Sequence, residues 1–441
     1  MMREILSPPA GAPTDTGPEA RTAATGAAPD AAPDAAHAGN SAETPTAMDS
    51  AYAPRAAYNR GTPWLGVFTA IPRGWRGSSP IGPQTVSYRA LQRAARRAGM
   101  RLVVFTPEGL RPATRQVVGF RWSRRRQQWV RLVAPLPHVV YNRVPRRETE
   151  AEAHVQWAMR YLQGRGIPMF NPRFLDKWEV YRVLSRHPQC RPHLPPTVLL
   201  DDDLNVAEAL DAWREVVLKP VAGSLGRGVI FISVAGREPG YRFNAHVGRR
   251  HIKGTLRTVA ELRRFIRRHV RRRPYLMQQA VDRVRYHGRP VDIRALVQRN
   301  SHGEWVLTGM GARVAGAGRV VTHVPQGGSR TSVDQALAPS FTPAELAAVK
   351  ELAAQTGIQA GRALVHGTGE LFGELSLDLA VDRQGRVWIL ECNAKPFQFD
   401  EPRIRRVARR HLVQFAHYLV TNSPGRPGSG RPAAVMEEPE G

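Results

Sequence analysis

The sequence predicts an α/β (α+β) fold on three observations. An apolar run at 64–70 is followed by a Gly/Pro-rich loop, a helical stretch at 86–98 and a second apolar run at 102–105, the order of a βαβ unit. From Val216 onward the pattern changes to short strands separated by glycine loops. Near the C-terminus, residues 373–396 (GELSLDLAVDRQGRVWILECNAKP) read as a hairpin whose apolar ladder carries acidic and amide side chains.

The chain has 441 residues, more than one typical domain, and a hydrophobic content of 42% suffices for a sizeable core in two or three lobes. Residues 1–60 are dominated by Ala, Pro, Gly and Thr and are expected to be disordered, since that composition cannot offset its ordering entropy. Segment 116–132 carries Arg and Trp at strand-like spacing, and 139–142 is a further strand. Helices follow at 149–164 and 177–185, separated by a loop at 167–176. The sheet-rich half has strands at 216–219, 228–233, 275–279, 291–298 and 305–314. Helices near 259–271 and 343–356 interrupt it, the second opened by Thr342 as N-cap with Pro343 in the first turn. A last helix is expected at 403–420, before a Pro/Gly-rich tail at 422–441. No internal repeat is present.

The formal net charge of +27, from 64 Lys+Arg against 37 Asp+Glu, suits an anionic partner such as nucleic acid, phosphate or an acidic polymer. Almost all the bases are arginine, a skew that coding bias also produces. The lysines are Lys177, Lys219, Lys253, Lys350 and Lys395. In such a chain a retained lysine marks a place where a compact ammonium is needed rather than a planar fork. Cys190 and Cys392 lack redox or metal spacing, which fits a reducing compartment. With no long apolar run and no apolar N-terminal stretch of signal-peptide type, the protein is expected to be soluble and cytoplasmic at synthesis.

In the hairpin, Leu375, Leu377, Leu379 and Val381 are apolar at a spacing of two, so one strand face is core while Glu374, Ser376, Asp378 and Ala380 face the other way. A two- or four-residue loop places Asp378 on the same face as Glu391 and Asn393, whereas a three-residue loop breaks that arrangement. Three oxygen ligands on one sheet face suit Mg²⁺, which takes one or two carboxylates and borrows its other oxygens from water and substrate phosphates. The alternative is an ordinary hairpin with solvated charges. Against it, Glu391 follows the buried-strand run Trp388-Ile389-Leu390, where an unpartnered carboxylate is expensive.

Residues 216–233 (VVLKPVAGSLGRGVIFIS) form a strand ending in Lys219, a loop with Gly223, Gly226 and Gly228, and a return strand. Such a flap exposes backbone N–H groups to phosphate while Lys219 supplies charge; the alternative is a tight turn that merely needs glycine. A Walker-type G-x-x-x-x-G-K-[ST] run does not occur, so a P-loop is disfavoured. The G-x-G stretches at 309–316 and 367–373 lack dinucleotide spacing and are read as turns.

Asp176-Lys177, the Lys219 strand with its flap, YLMQQAV, VDIRALVQ, GARVAG and the hairpin ending ILECNAKP follow one another in the order found in ATP-grasp enzymes. Over 171–420 the chain resembles that superfamily, and within it is most similar to YheC/YheD-type proteins associated with the endospore coat. Those proteins in turn resemble peptide-forming carboxylate–amine ligases. The resemblance implies an ATP-grasp fold, two α+β lobes sandwiching ATP, at 169–421. A small α/β pre-ATP-grasp domain at 61–168 precedes it, and the disordered tails are 1–60 and 422–441.

Carried over residue by residue, the resemblance puts Lys177 and Lys219 on ATP phosphates beneath a flap of Gly223, Ser224, Gly226 and Gly228. It puts Gln278, Gln279, Ala280 and Val281 beside adenine, their backbone groups reading the base edge. Arg294, oriented by Asp292, and Arg313 neutralise charge on the transferred phosphoryl group or substrate carboxylate. Asp378, Glu391 and Asn393 hold one or two Mg²⁺ ions, with Mn²⁺ as an alternative, and Cys392 faces away as inert packing. Blander readings make Lys177 a solvated helix-start charge, Arg294 a structural partner of Asp292, and Lys395 a solvent-facing turn residue. The histidines at 246, 251, 323 and 366 show no ligand spacing, although His323 lies in a segment resembling the family's substrate-side glycine loop.

The function expected is an ATP- and Mg²⁺-dependent carboxylate–amine (peptide-type) ligase working through an acyl phosphate, linked to sporulation or the spore coat. Its partners would be ATP, a carboxylate and an amine of acidic or peptide-like kind, and spore-coat proteins, with no membrane. The alternatives are a nucleotide-binding coat-assembly protein without catalysis and, less favoured, a nucleic-acid-binding protein using its arginine clusters.

Overall fold

The computed structural model describes residues 61–71, 75–77, 79–82, 84–200, 204–223, 226–236, 239–247, 250–270, 273–322 and 327–422. The expected tails at 1–60 and 422–441, apart from Asn422, lie outside the described residues, as do Ser224 and His323.

Three sheets organise the chain. The first contains β1 (Trp64–Phe68), β2 (Arg101–Phe105), β3 (Leu110–Arg111), β4 (Gln116–Ser123), β5 (Gln128–Pro135), β6 (Val139–Asn142) and β7 (Met169–Phe170), ordered β3-β4-β2-β1-β6-β7 with β5 on β4. The expected βαβ unit is present, because α1 (Thr85–Arg97) joins β1 to β2 and the two strands pair in parallel. The helix expected at 149–164 is broken into α2 (Arg147–Glu150) and α3 (Ala153–Gly164), with Glu152 extended between them. Upstream of the break Glu150 turns inward, where its carboxylate accepts from Asn142 Nδ2 at 3.0 Å and the Phe174 N–H at 2.9 Å.

After α4 (Lys177–Ser185), the second sheet holds β8 (Thr197–Leu200), β9 (Glu215–Pro220), β10 (Ile230–Val234), β11 (Tyr241–Val247), β12 (Arg250–Leu256) and β13 (Tyr275–Gln279), in the order β12-β11-β10-β9-β13-β8. Helices α5 (Leu204–Trp213) and α6 (Val259–Val270) supply Leu210, Leu262 and Ile266 to its core. Sequence reading misses β8, α5, β11 and β12. The sequences of β11 and β12, YRFNAHV and RHIKGTL, mix Arg, His, Asn and Lys into their strand pattern, as suits the edge of a sheet.

The third sheet comprises β14 (Arg285–Tyr286), β15 (Arg289–Arg299), β16 (Trp305–Val314), β17 (Ser329–Thr331), β18 (Glu374–Val381) and β19 (Val387–Asn393), ordered β17-β16-β15-β18-β19 with β14 on β15. Its apolar face, including Leu375, Leu377 and Leu379 at 0% exposure, packs against α4, α7 (Val333–Leu337) and α8 (Pro343–Thr368). The expected end of α8 at Thr356 is too early. Gly357 and Gly361 are packing residues, since an added Cβ would stand 3.0 Å from Val297 and 2.7 Å from Trp305. The helix stops at Gly369, whose φ of 68° suits a left-handed cap. Gly309 and Gly311 likewise lie within strand β16 rather than in a turn, pressed under Ile404 and Glu401.

The last helix, α9 (Pro402–Thr421), returns to the first sheet and buries Leu412, Val413 and Phe415 with Leu65, Tyr88 and Phe170. Asn171 joins these parts. Fully buried at a φ of 55°, it accepts from the Gly373 and Glu374 N–H groups at 3.0 and 3.3 Å. It also donates to Glu374 O at 2.7 Å and to Ala394 O. Asparagine tolerates this backbone better than most residues. Asn171→Ala is expected to lose about 3 kcal/mol of unfolding free energy in urea titration, because several buried backbone groups lose their partner at once.

Candidate active site

The β18–β19 connection spans 382–386, five residues outside the strands. Asp382 ties it down, accepting from Gln384 N and Arg386 N at 3.0 Å and from Trp388 Nε1 at 2.9 Å. An odd connection carries the wrong parity. With Val381 opposite Val387 and Leu379 opposite Ile389, an unbroken ladder would set Asp378 against Leu390 and turn Glu391 away. The register instead slips by one between Asp378 and Leu379, so Asp378 faces Glu391 and Ser376 faces Asn393. Leu390 is therefore a β-bulge residue, and the expected three-residue face exists because of it rather than because of loop length. The bulge also aims the Leu390 carbonyl at Lys219 Nζ, 3.4 Å away.

This face forms one wall of a cleft between the second and third sheets, lined by Lys177, Lys219, Gly226, Asp292, Asp378 and Glu391 among others. Lys219, at the end of β9, donates to Gln278 Oε1 at 2.6 Å, and Gln278 donates onward to Thr197 at 2.9 Å. Burial draws the Lys219 ammonium down to about 8, with Glu391 opposing the shift and Lys177 adding to it. Lys177 starts α4, which Asp176 caps by accepting the Glu179 N–H at 2.8 Å. Its ammonium is engaged rather than merely solvated: it donates to Gly223 O at 2.9 Å and lies 3.5 Å from Glu391 Oε1. In the flap, Gly226 and Gly228 take φ of 67° and 77°, and a Cβ on Gly228 would come within 2.4 Å of Arg273.

The segment Gln278 to Val281 leaves the second sheet here. The N–H groups of Gln279 and Ala280 are already given to Pro196 O and Glu215 O, at 2.9 and 3.1 Å. Asp292 does not orient Arg294. It accepts from Arg283 Nη1 at 2.6 Å and from Thr322 Oγ1 at 2.5 Å, while Arg283 also donates to Val320 O at 2.8 Å. Arg283, which sequence reading passes over, forms an isolated bridge with Asp382, a contact between distant segments that no local sequence signal announces. Arg294 stands opposite Asp378 in register and packs over Phe399, 5.3 Å from the ring centroid. Arg313, opposite Asp292, is turned to Glu401 at 3.0 Å and Asp400 at 3.7 Å.

Farther along the same face, Glu374 is buried between lobes. Tyr141 OH donates to it, Gln298 Nε2 donates at 3.0 Å, and Arg143 lies 3.7 Å away. Burial pushes the Glu374 carboxyl up while Arg143 opposes this. Lys395 is likewise no solvent-facing turn residue: buried against the Phe174 ring, it is paired with Glu150 and drawn down to about 8 by burial. Cys392 is core packing, its thiol raised by burial. His246 is buried and stacked on His251. Among the described residues no three His, Cys, Asp or Glu side chains group to hold a metal.

A family model described as YheC/D like ATP-grasp matches residues 166–419. The chain is 26% identical over 367 residues to the endospore coat-associated protein YheD of Bacillus subtilis, covering 81% of this chain and 79% of that protein. It is 24% identical over 320 residues to YheC of the same organism, covering 69% and 83%. Among solved structures it is similar to the D-cycloserine synthetase DcsG, at 17% identity and a TM-score of 0.46 over 81% of this chain and 99% of that one. It is also similar to D-alanyl-alanine synthetase A of Vibrio cholerae, at 14% identity and a TM-score of 0.47 over 82% and 98%.

The Arg283–Asp292 pair, each side chain 9% exposed, offers a direct check on the cleft's electrostatics. Arg283→Met is expected to cost about 3 kcal/mol in urea unfolding by stranding a buried carboxylate, while Arg283→Met with Asp292→Leu recovers most of that loss.

Proposed function

The chain belongs to the YheC/D-like ATP-grasp family, and we propose that it is an ATP- and Mg²⁺-dependent ligase joining a carboxylate to an amine. One observation carries this reading: two lysines and a glycine flap stand across a single cleft from a sheet face bearing Asp378, Glu391 and Asn393. The residues fit the groups they would hold. Phosphoryl transfer asks little covalent chemistry of side chains and much positioning and charge neutralisation.

Lys219 and Lys177 would bind the phosphates under the flap of Gly223, Ser224, Gly226 and Gly228. For Gln279 and Ala280, whose N–H groups are committed, base-edge reading falls to the carbonyls, with the Val281 N–H beside them and Gln278 holding Lys219. Asp378, Glu391 and Asn393 are hard-oxygen donors suited to one or two Mg²⁺ ions, which would neutralise charge on the phosphates. Arg294, on the same face, would meet the transferred phosphoryl group or the substrate carboxylate. Arg313, held by Glu401 and Asp400, would act on that charge from one strand farther out. In the reaction a substrate carboxylate oxygen attacks the γ-phosphorus as the bond to ADP breaks, giving an acyl phosphate. The amine then attacks the acyl carbon and inorganic phosphate leaves.

A second reading is favoured by the names of both curated relatives: a coat-associated protein that binds nucleotide without turning it over. An ADP-release screen across amino acids, short peptides and cell-wall fragments, with mass spectrometry of products, separates the two. Turnover is expected, with a loss of about 10²-fold or more in Lys219→Ala and Glu391→Ala. Binding that survives with no turnover on any substrate supports the assembly role, and Mg-ATP binding that is absent or insensitive to both substitutions overturns both.

The lowered Lys219 also gives a pH dependence. Phosphate favours the ammonium, so nucleotide binding raises this lysine above its free-protein value of about 8. Titration calorimetry near that value, in buffers of different ionisation enthalpy, is expected to show proton uptake on ATP binding and affinity falling as pH rises further. Lys219→Arg removes both effects.

A further inference from the structure

Three segments in and beside the first sheet carry arginine and no acid. Helix α1 holds four arginines, the β4–β5 hairpin at 116–135 five, and α9 five. None of the three contains Asp or Glu, in a chain with 37 acidic residues. A preference for arginine over lysine accounts for the kind of base, not for the missing acids.

The segments touch one another. Helix α1 packs on α9 and on β4, and Gln92 exchanges hydrogen bonds with the Trp122 backbone at 2.7 and 2.9 Å. Between α1 and α9 runs a groove floored by Ala90, Ala94, Ala98, Val407 and Val413, with Arg93, Arg97, Arg406, Arg409 and Arg410 along its rims. A second hollow continues it from Arg93 to Arg96, Arg121 and Arg124. Crowding leaves its mark on Arg409, which burial and the nearby Arg405, Arg93 and Arg406 hold below the usual guanidinium value. Four of the rim arginines, Arg93, Arg97, Arg406 and Arg410, are exposed.

We infer that this groove docks an acidic peptide segment, whose carboxylates pair with the rim arginines while its small apolar side chains lie on the alanine and valine floor. Single-stranded nucleic acid fits it poorly, because stacking platforms are aromatic and the groove has none. The nearby Trp122 is already covered by the Arg89 guanidinium, 3.8 Å from the ring centroid. This inference stands apart from the ligase reading, since the groove shares no residue with the cleft around Lys219.

Fluorescence anisotropy on the full chain, at about 0.15 M salt, tests it. The probes are a labelled peptide of alternating Glu and Ala, its Lys-for-Glu counterpart, and a single-stranded oligonucleotide of equal length. The acidic peptide is expected to bind, and R93Q/R97Q/R406Q/R410Q to weaken it by about tenfold or more. R257Q/R264Q/R267Q/R268Q on and just before α6, a charge-matched change elsewhere, and Lys219→Ala should both leave it unchanged. Hydrogen exchange on the unaltered protein should show the peptide protecting α1 and α9, a readout free of any folding defect in the variants. No binding of the acidic peptide, equal weakening by the α6 variant, protection elsewhere, or an oligonucleotide that binds as tightly would each overturn the inference.

Discussion

A β-strand shows alternate residues to alternate faces, and this parity constraint governs whether the third sheet has a polar working face at all. The five residues joining β18 to β19 leave the two strands out of phase for that purpose, and one extra residue, Leu390, restores the phase. Everything that faces the cleft from β19 inherits the correction. Glu391 and Asn393 come onto the side of Asp378 and Arg294, Cys392 goes to the core, and the bulged carbonyl meets Lys219 across the cleft. The two walls are thus related through a backbone defect rather than through side chains alone, as bulges beside functional sites often are.

The polar face continues beyond the cleft as a series of buried charges, each with its own partner. Asp292 has Arg283, Glu374 has Tyr141, Gln298 and Arg143, and Lys395 has Glu150. Such pairs seldom add much net stability over apolar packing, since desolvation offsets the attraction. What they supply here is register between parts, because Tyr141 and Arg143, from the end of β6, hold Glu374, and Glu150, from α2, holds Lys395. A shift of either lobe would leave a charge buried alone, so the lobes are held to one relative position by what a misfit would cost.

Much of this was legible in the residues. The apolar spacing of Leu375 to Val381 and the capped start of α8 each carry a local physical rule, and each is found where that rule puts it. What was not legible depends on contacts between distant segments. Whether Gly357 ends a helix or packs one is decided by Val297 and Leu377, not by its chain neighbours. Whether Asp292 serves Arg294 or Arg283 depends on how the segment after β13 crosses the third sheet. The hairpin's parity was conditional on loop length because no local rule announces a bulge, and Lys395 looked like a turn residue because Glu150 lies far away in sequence.

Helix α9 has a consequence in time as well as in space. It completes the hydrophobic core of the first sheet, yet it is the last described helix of the chain and the first sheet begins at Trp64. A ribosome making this protein releases β1, α1 and β2 long before the segment that seals them exists. The amino-terminal sheet must therefore wait through synthesis of the two other sheets with part of its apolar surface uncovered. Folding of this lobe by itself as it emerges is closed to it, and its maturation waits for the synthesis of α9, with contacts of very long sequence separation setting the pace.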